Sequence, residues 1–155
     1  MVVRDNSWTL QDRADGDEPF LARCFESARG AVFAGLPEPL RTDILAQQRR
    51  AFEAAVATTP GVLDRVVVQA GSPVGRVIES RVGADWWLVD IAFVDEARGH
   101  GLGTAVLEGI LADARRAGAA VRLHVRLGHP AAAWYARHGF VEVGRDEQDA
   151  ELRAV

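Results

Sequence analysis

The stretch Arg98-Gly99-His100-Gly101-Leu102-Gly103-Thr104 constrains this chain more than any other, because it joins the apolar run DWWLVDIAFV to an amphipathic segment ending near Ala117. Without Cβ atoms, alternating glycines let the backbone take positive φ at low cost and approach a ligand closely. A helix that starts at once afterwards points unpaired N–H groups outward, at the positive end of its dipole, which makes a phosphate cradle. The Arg98 side chain and the Thr104 hydroxyl are added candidate contacts. The alternative is a tight strand-to-helix turn that merely prefers glycine, and three glycines beside an arginine weigh against it. The dinucleotide fingerprint GxGxxG does not fit. Counted from Gly99 or Gly101, its third glycine falls at Thr104 or Val106, and the next strand offers arginines instead of an acidic ribose ligand. All 18 basic residues are arginine, which excludes the lysine-dependent phosphate loop and lysine Schiff-base chemistry.

Around this turn the periodicity predicts a mixed α/β order. A first strand is expected over residues 2–10, then an acidic turn from Asp12 to Glu18 and a helix opened by Pro19, with Phe20, Cys24 and Ala28 four apart. GLPEPL breaks that helix, and a second runs from about Leu40 to Ala57, where Thr59-Pro60-Gly61 stops it. LDRVVVQA, PVGRVIESRV and DWWLVDIAFV read as three strands of an antiparallel meander. After the glycine turn, Leu102, Val106 and Ile110 line one helix face, and Gly118 stands where a helix C′ residue belongs. AVRLHVRL is a strand, HPAAAWYARHG a short helix, and FVEVG a strand. The polar tail DEQDAELRAV has room for one last short strand.

A chain of 155 residues with 48% hydrophobic content is expected to form a single domain over 1–155. Its net charge of −4 argues against a nucleic-acid partner. One cysteine, Cys24, excludes an internal disulfide and a thiolate-rich zinc site, and four scattered histidines do not suggest a metal. No run approaches the ~18 apolar residues of a membrane span, and the first twenty residues lack the core of a signal peptide. The expected location is the cytoplasm.

Arg98, Gly101 and Gly103 occupy the fixed positions of the pyrophosphate motif Arg/Gln-x-x-Gly-x-Gly/Ala, and HPAAAWYARHGF supplies Tyr135, Gly139 and Phe140 of a Tyr-x-x-x-Gly-Phe element downstream. In these motifs and in its element order the chain resembles the GNAT N-acetyltransferases. The resemblance implies a central mixed, mostly antiparallel sheet flanked by helices, with a splayed parallel strand pair formed by DWWLVDIAFV and AVRLHVRL. It implies acetyl-CoA in that opening, the backbone of Phe93 and Val94 pairing with the pantetheine arm, and residues Arg98, Gly99, His100, Gly101, Leu102, Gly103 and Thr104 holding the pyrophosphate. His129 stands where the family usually carries an asparagine that holds the pantetheine or positions the short helix. The acceptor implied is a primary amine on a small molecule or a protein, and homodimers are common in the family. A short C-terminal tail leaves part of the acceptor wall to a second subunit or missing.

Transfer from a thioester to an amine needs a deprotonated amine, a polarised carbonyl and a proton for the leaving thiolate. By its family position Tyr135 is the acid, since a phenol stays protonated at neutral pH; the alternative is a packing aromatic. A backbone N–H near Phe93 would polarise the carbonyl. Asp90, alone in an apolar strand, is either a base raised by burial or the partner of an arginine, with Glu79 a second candidate base. Asp95 and Glu96 read as a solvated loop, His124 as packed or on the surface, and Gln47, Gln48, Arg49 and Arg50 as a solvated face beside the acceptor pocket. The rival from another class is an acyl-CoA sensor or interaction module without turnover, favoured by His129 and the short tail.

Overall fold

The computed structural model describes residues 7–155. Its elements run β1 (Trp8–Asp12), α1 (Glu18–Arg29), α2 (Leu40–Ala57), β2 (Val62–Gln69), β3 (Ser72–Ser80), β4 (Trp86–Phe93), α3 (Leu102–Arg116), β5 (Val121–Arg126), α4 (Ala131–Arg137), β6 (Val141–Arg145) and β7 (Asp149–Ala154). One seven-stranded sheet has the order β1-β2-β3-β4-β5-β7-β6, and every pairing is antiparallel except β4 with β5. This is the mixed, mostly antiparallel sheet with one parallel pair that the sequence led us to expect. The first strand begins at Trp8; the earlier part of its expected range lies outside the described residues.

Strand alternation assigns the two faces of the sheet. Val67, Val77, Leu88, Val121, Leu123 and Val125 turn to one face, where they form the main core with Leu102, Val106, Leu107, Ile110 and Leu111 of α3. Trp134 and Tyr135 of α4 pack on the same side. On the opposite face, Val66, Ala92 and Val94 meet Phe20, Leu21 and Cys24 of α1. Beyond β4 no helix takes part in that second cluster, so Arg122, His124 and Arg126 of β5 stand on the face that α1 leaves uncovered.

The second helix is held differently. Only Leu45 and Val56 of α2 are buried. Its anchor is ionic: Glu53 accepts from Arg76 at 2.5 Å and from Arg13 at 2.7 Å, and both arginines also donate to Asp64 on β2. Arg76 is 3% exposed, so the guanidinium is a core group satisfied by two carboxylates. Arg49 pairs with Glu18 at the start of α1, which gives that residue a structural partner.

The tail fills the room left for a last short strand: residues 149–154 form a strand in register with β5 from Arg126↔Asp149 to Val121↔Ala154. Ala150, Leu152 and Ala154 bury alternately, a period of two spread thinly among charged residues.

Candidate active site

The parallel pair is hydrogen-bonded in register only at Trp86↔Val121 and Trp87↔Arg122, with the Trp86 N–H donating to the Ala120 carbonyl at 2.8 Å. Two other pairings pull the strands away from that point. β4 stays on β3 through Gly75↔Phe93, with a register shift that leaves Val89 unmatched, and β5 stays on β7. Between them opens a cleft of about 690 Å³ whose lining includes Asp90, Phe93, His124, Arg126, His129 and Tyr135.

Backbone polarity settles which groups of β4 face the gap. The Val94 N–H donates to the Val74 carbonyl at 3.1 Å, and the Val94 carbonyl accepts from Ala97 at 3.0 Å. Val94 is therefore turned toward β3 and not toward the opening. By alternation Phe93, and Ile91 two residues before it, aim their N–H groups at the gap. Ile91 lines the cleft and went unremarked in the sequence; the period of two, anchored on Phe93, was the signal that could have found it.

The glycine turn continues the same groove. Gly99 and Gly101 have φ of 78° and 79°, and both present open space where a Cβ would stand. Gly101 is the N-cap of α3, so the first-turn N–H groups of Leu102, Gly103 and Thr104 have no carbonyl one turn earlier. A hollow of about 280 Å³ is bounded by Arg98, Gly99, Gly101, Gly103, Thr104 and Trp134. It shares Phe93, Arg98, Gly103 and Trp134 with the cleft, so cradle and cleft join. Trp134 donates its indole N–H to the Thr104 hydroxyl at 3.3 Å, which ties α4 to this turn.

The side chains of the turn divide their work. Leu102 is 4% exposed and belongs to the core, so only its backbone reaches the cradle. His100 lines a different surface hollow, beside Arg23 and Pro73. Arg98 folds back: its guanidinium donates to the carbonyls of Ser27 (2.9 Å) and Phe93 (3.0 Å) and pairs with Asp95. It thereby ties the end of α1 to the end of β4 at the junction of cleft and cradle. His129 accepts a hydrogen bond from the Ala131 N–H on Nδ1 at 3.0 Å. An asparagine oxygen would cap the short helix through the same kind of contact.

Tyr135 and Asp90 both line the cleft. Burial, together with the Asp90 charge, pushes the Tyr135 phenol up to about 12. Its ring lies edge-on to Phe140 at 5.4 Å and near Trp134 at 5.0 Å, so packing holds it in place. Burial also lifts the Asp90 carboxyl above its ordinary value, against the opposing Arg29 guanidinium that donates to it at 3.1 Å. Asp90 is thus an arginine-paired carboxylate that also lines the cleft. Arg29 is itself clamped, with its guanidinium over the rings of Phe25 (4.7 Å) and Phe52 (4.5 Å).

Glu79 is not in this cleft. It is 1% exposed on the α3 face, paired with Arg65 and Arg81, and Arg81 lies over the Trp86 ring at 3.5 Å. The bulge between Ile78 and Glu79 and these two arginines give it a structural place that sequence spacing does not reveal. Among the described residues no cluster of three or more His, Cys, Asp or Glu side chains is arranged to hold a metal, and no helix is long and apolar enough to cross a membrane.

An activated acyl group carried on a phosphorylated pantetheine arm fits these features: a strand edge with free N–H groups leads into a nest of backbone N–H groups at a helix start. Residues 63–142 match the family model described as an acetyltransferase (GNAT) domain. Among solved structures, the PaiA N-acetyltransferase of Thermoplasma acidophilum in complex with coenzyme A superposes with a TM-score of 0.72 at 13% identity, covering 96% of this chain and 98% of that one. The ribosomal-protein-S18-alanine N-acetyltransferase of Escherichia coli gives 0.68 at 21% identity, over 96% and 93%. A GNAT family acetyltransferase from Elizabethkingia anophelis with acetyl-CoA bound gives 0.63 at 12% identity, over 97% and 98%. These likenesses concern the fold. No curated protein sequence matches the chain.

Proposed function

This chain belongs to the GNAT acetyltransferase family, and on that premise we propose that it moves an acetyl group from acetyl-CoA directly to a primary amine. One observation carries the reading. The Tyr135 phenol and the Asp90 carboxylate both line a cleft that runs into the glycine cradle.

When bound, acetyl-CoA supplies an activated thioester and leaves as the free thiol. The backbone N–H groups of residues 99–104 would hold its pyrophosphate, and the exposed edge of β4 at Ile91 and Phe93 would hold the pantetheine arm. The Phe93 N–H is the donor placed to stabilise negative charge on the thioester oxygen, a contribution of about 3 kcal/mol in a water-poor site. Asp90 takes a proton from the incoming ammonium group, and its lifted pKa suits that role. Tyr135, its phenol held protonated at neutral pH by burial, gives its proton to the departing sulfur and regains the one that the acylated nitrogen sheds.

Two measurements test this. Calorimetric titration should show binding of acetyl-CoA and CoA but not NAD or ATP, and thiol release should follow on adding amines. Tyr135→Phe should slow turnover by roughly 100-fold with acetyl-CoA affinity unchanged. Unchanged turnover would remove Tyr135 from the reaction; binding without thiol release from any amine would leave a coenzyme A-binding module in place of an enzyme.

A further inference from the structure

The two lips of the cleft carry different charged groups, a carboxylate already paired with Arg29 on one and a guanidinium on the other. On β4 stands Asp90, the one carboxylate among the described cleft-lining residues. On β5 stand His124 and Arg126, two residues apart and therefore on the same face, opposite the buried Leu123 and Val125. That is the face α1 packs on and α3 does not, so these side chains line the acceptor half of the cleft and not the cradle half. Arg126 is exposed, pairs with Asp149 at 3.4 Å, a long contact that a better anion would displace, and also feels the charge of Asp146. The ring of His124 is held flat by stacking on Trp87, 5.0 Å away and tilted 29°. Carboxylates on the nearby surface are already taken: Asp85 by Arg122 and Arg153, and Glu151 by Arg122.

Resting on the proposed acetyl transfer, we infer that the acceptor is a zwitterionic amine, with its amino group at Asp90 and a carboxylate or phosphate held across the cleft by Arg126. A polyamine or a basic peptide would bring a second cation up to Arg126, with like charge. An anionic group opposite the amine turns Arg126 into a bidentate anchor and matches each lip to its counter-charge.

The test is thiol release from acetyl-CoA with amine pairs that differ only in the anion: amino acids against their carboxamides, and phosphoethanolamine against ethanolamine. Putrescine is the dicationic control. The expected result is a kcat/KM roughly tenfold or more higher for the anionic member of a pair, and the two series tell carboxylate from phosphate. Arg126→Gln should raise KM for the anionic amine by roughly tenfold and abolish the difference within each pair. Arg126→Glu should move the preference toward putrescine, a gain that misfolding cannot produce. Equal or better turnover of neutral or dicationic amines by the unaltered protein would overturn the acceptor class and leave acetyl transfer standing. Thiol release from no amine, with acetyl-CoA bound, would overturn acetyl transfer and the acceptor class together.

Discussion

Gly103 shows how one missing Cβ separates stability from ligand binding. Its Cβ direction points between two rings, Phe93 at 3.5 Å and Trp134 at 3.8 Å, which is ordinary contact distance. Alanine fits there without moving the fold and is a better helix residue, so Gly103→Ala should raise stability by ~0.5 kcal/mol in urea unfolding. The same methyl group stands at the floor where cleft and cradle join, and calorimetry should show acetyl-CoA binding weakened by roughly tenfold. An unchanged affinity would mean that nothing approaches the backbone at this position. Gly101 is different: its φ of 79° makes any side chain there a strain on the turn itself. The sequence marked both glycines, but only the neighbouring rings tell them apart.

At the scale of elements, α2 depends on charge because its apolar stripe is thin. Glu53 and Asp64 are partly buried, which alone would raise their pKa values, yet the hydrogen bonds and charges of Arg76 and Arg13 hold both below their ordinary range. Carboxylates held low contribute stability that is present above their unfolded values near ~4 and lost as pH falls through the lower folded ones. Arg76→Met leaves Arg13 to serve both carboxylates and should cost about 3 kcal/mol at neutral pH. The stability of Arg76→Met should also fall less steeply on acidification below pH ~4 than that of the unaltered chain. Urea midpoints measured across that range test both, and identical midpoints would show that α2 is held by packing after all. The GLPEPL break and the stop at Thr59-Pro60-Gly61 gave the helix its right limits. They could not disclose that Phe52 sits between Arg29 and Arg76, because those arginines arrive from α1 and β3.

For the whole molecule, the seam between β4 and β5 is the weak line of the sheet, two register pairs joining β1–β4 to β5, β7 and β6. A ligand seated in the seam would bond the free edge of β4 and the glycine turn. At 100 times its Kd, acetyl-CoA should stabilise the protein by ~2.7 kcal/mol, a rise in Tm of roughly 5 to 10 °C. Hydrogen exchange gives the more specific readout. The amides of Ile91 and Phe93 should gain protection, while that of Val94, already bonded to β3, should change little. Protection confined to α1 and α2 would place the ligand elsewhere.

What the sequence by itself determined was local. Element order, the limits of α2, the glycine turn with its positive φ, and the Tyr-Gly-Phe helix all rest on periodicity and backbone preference over fewer than twenty residues. Tertiary structure decided every partnership across the sheet. Asp90 meets Arg29 from 61 residues away, Glu79 is drawn into the α3 face, Val94 turns from the gap while Ile91 faces it, and a charged tail completes the sheet. Such pairings depend on which strands become neighbours and in what register, and a one-residue change in either would turn each of these groups to the opposite side.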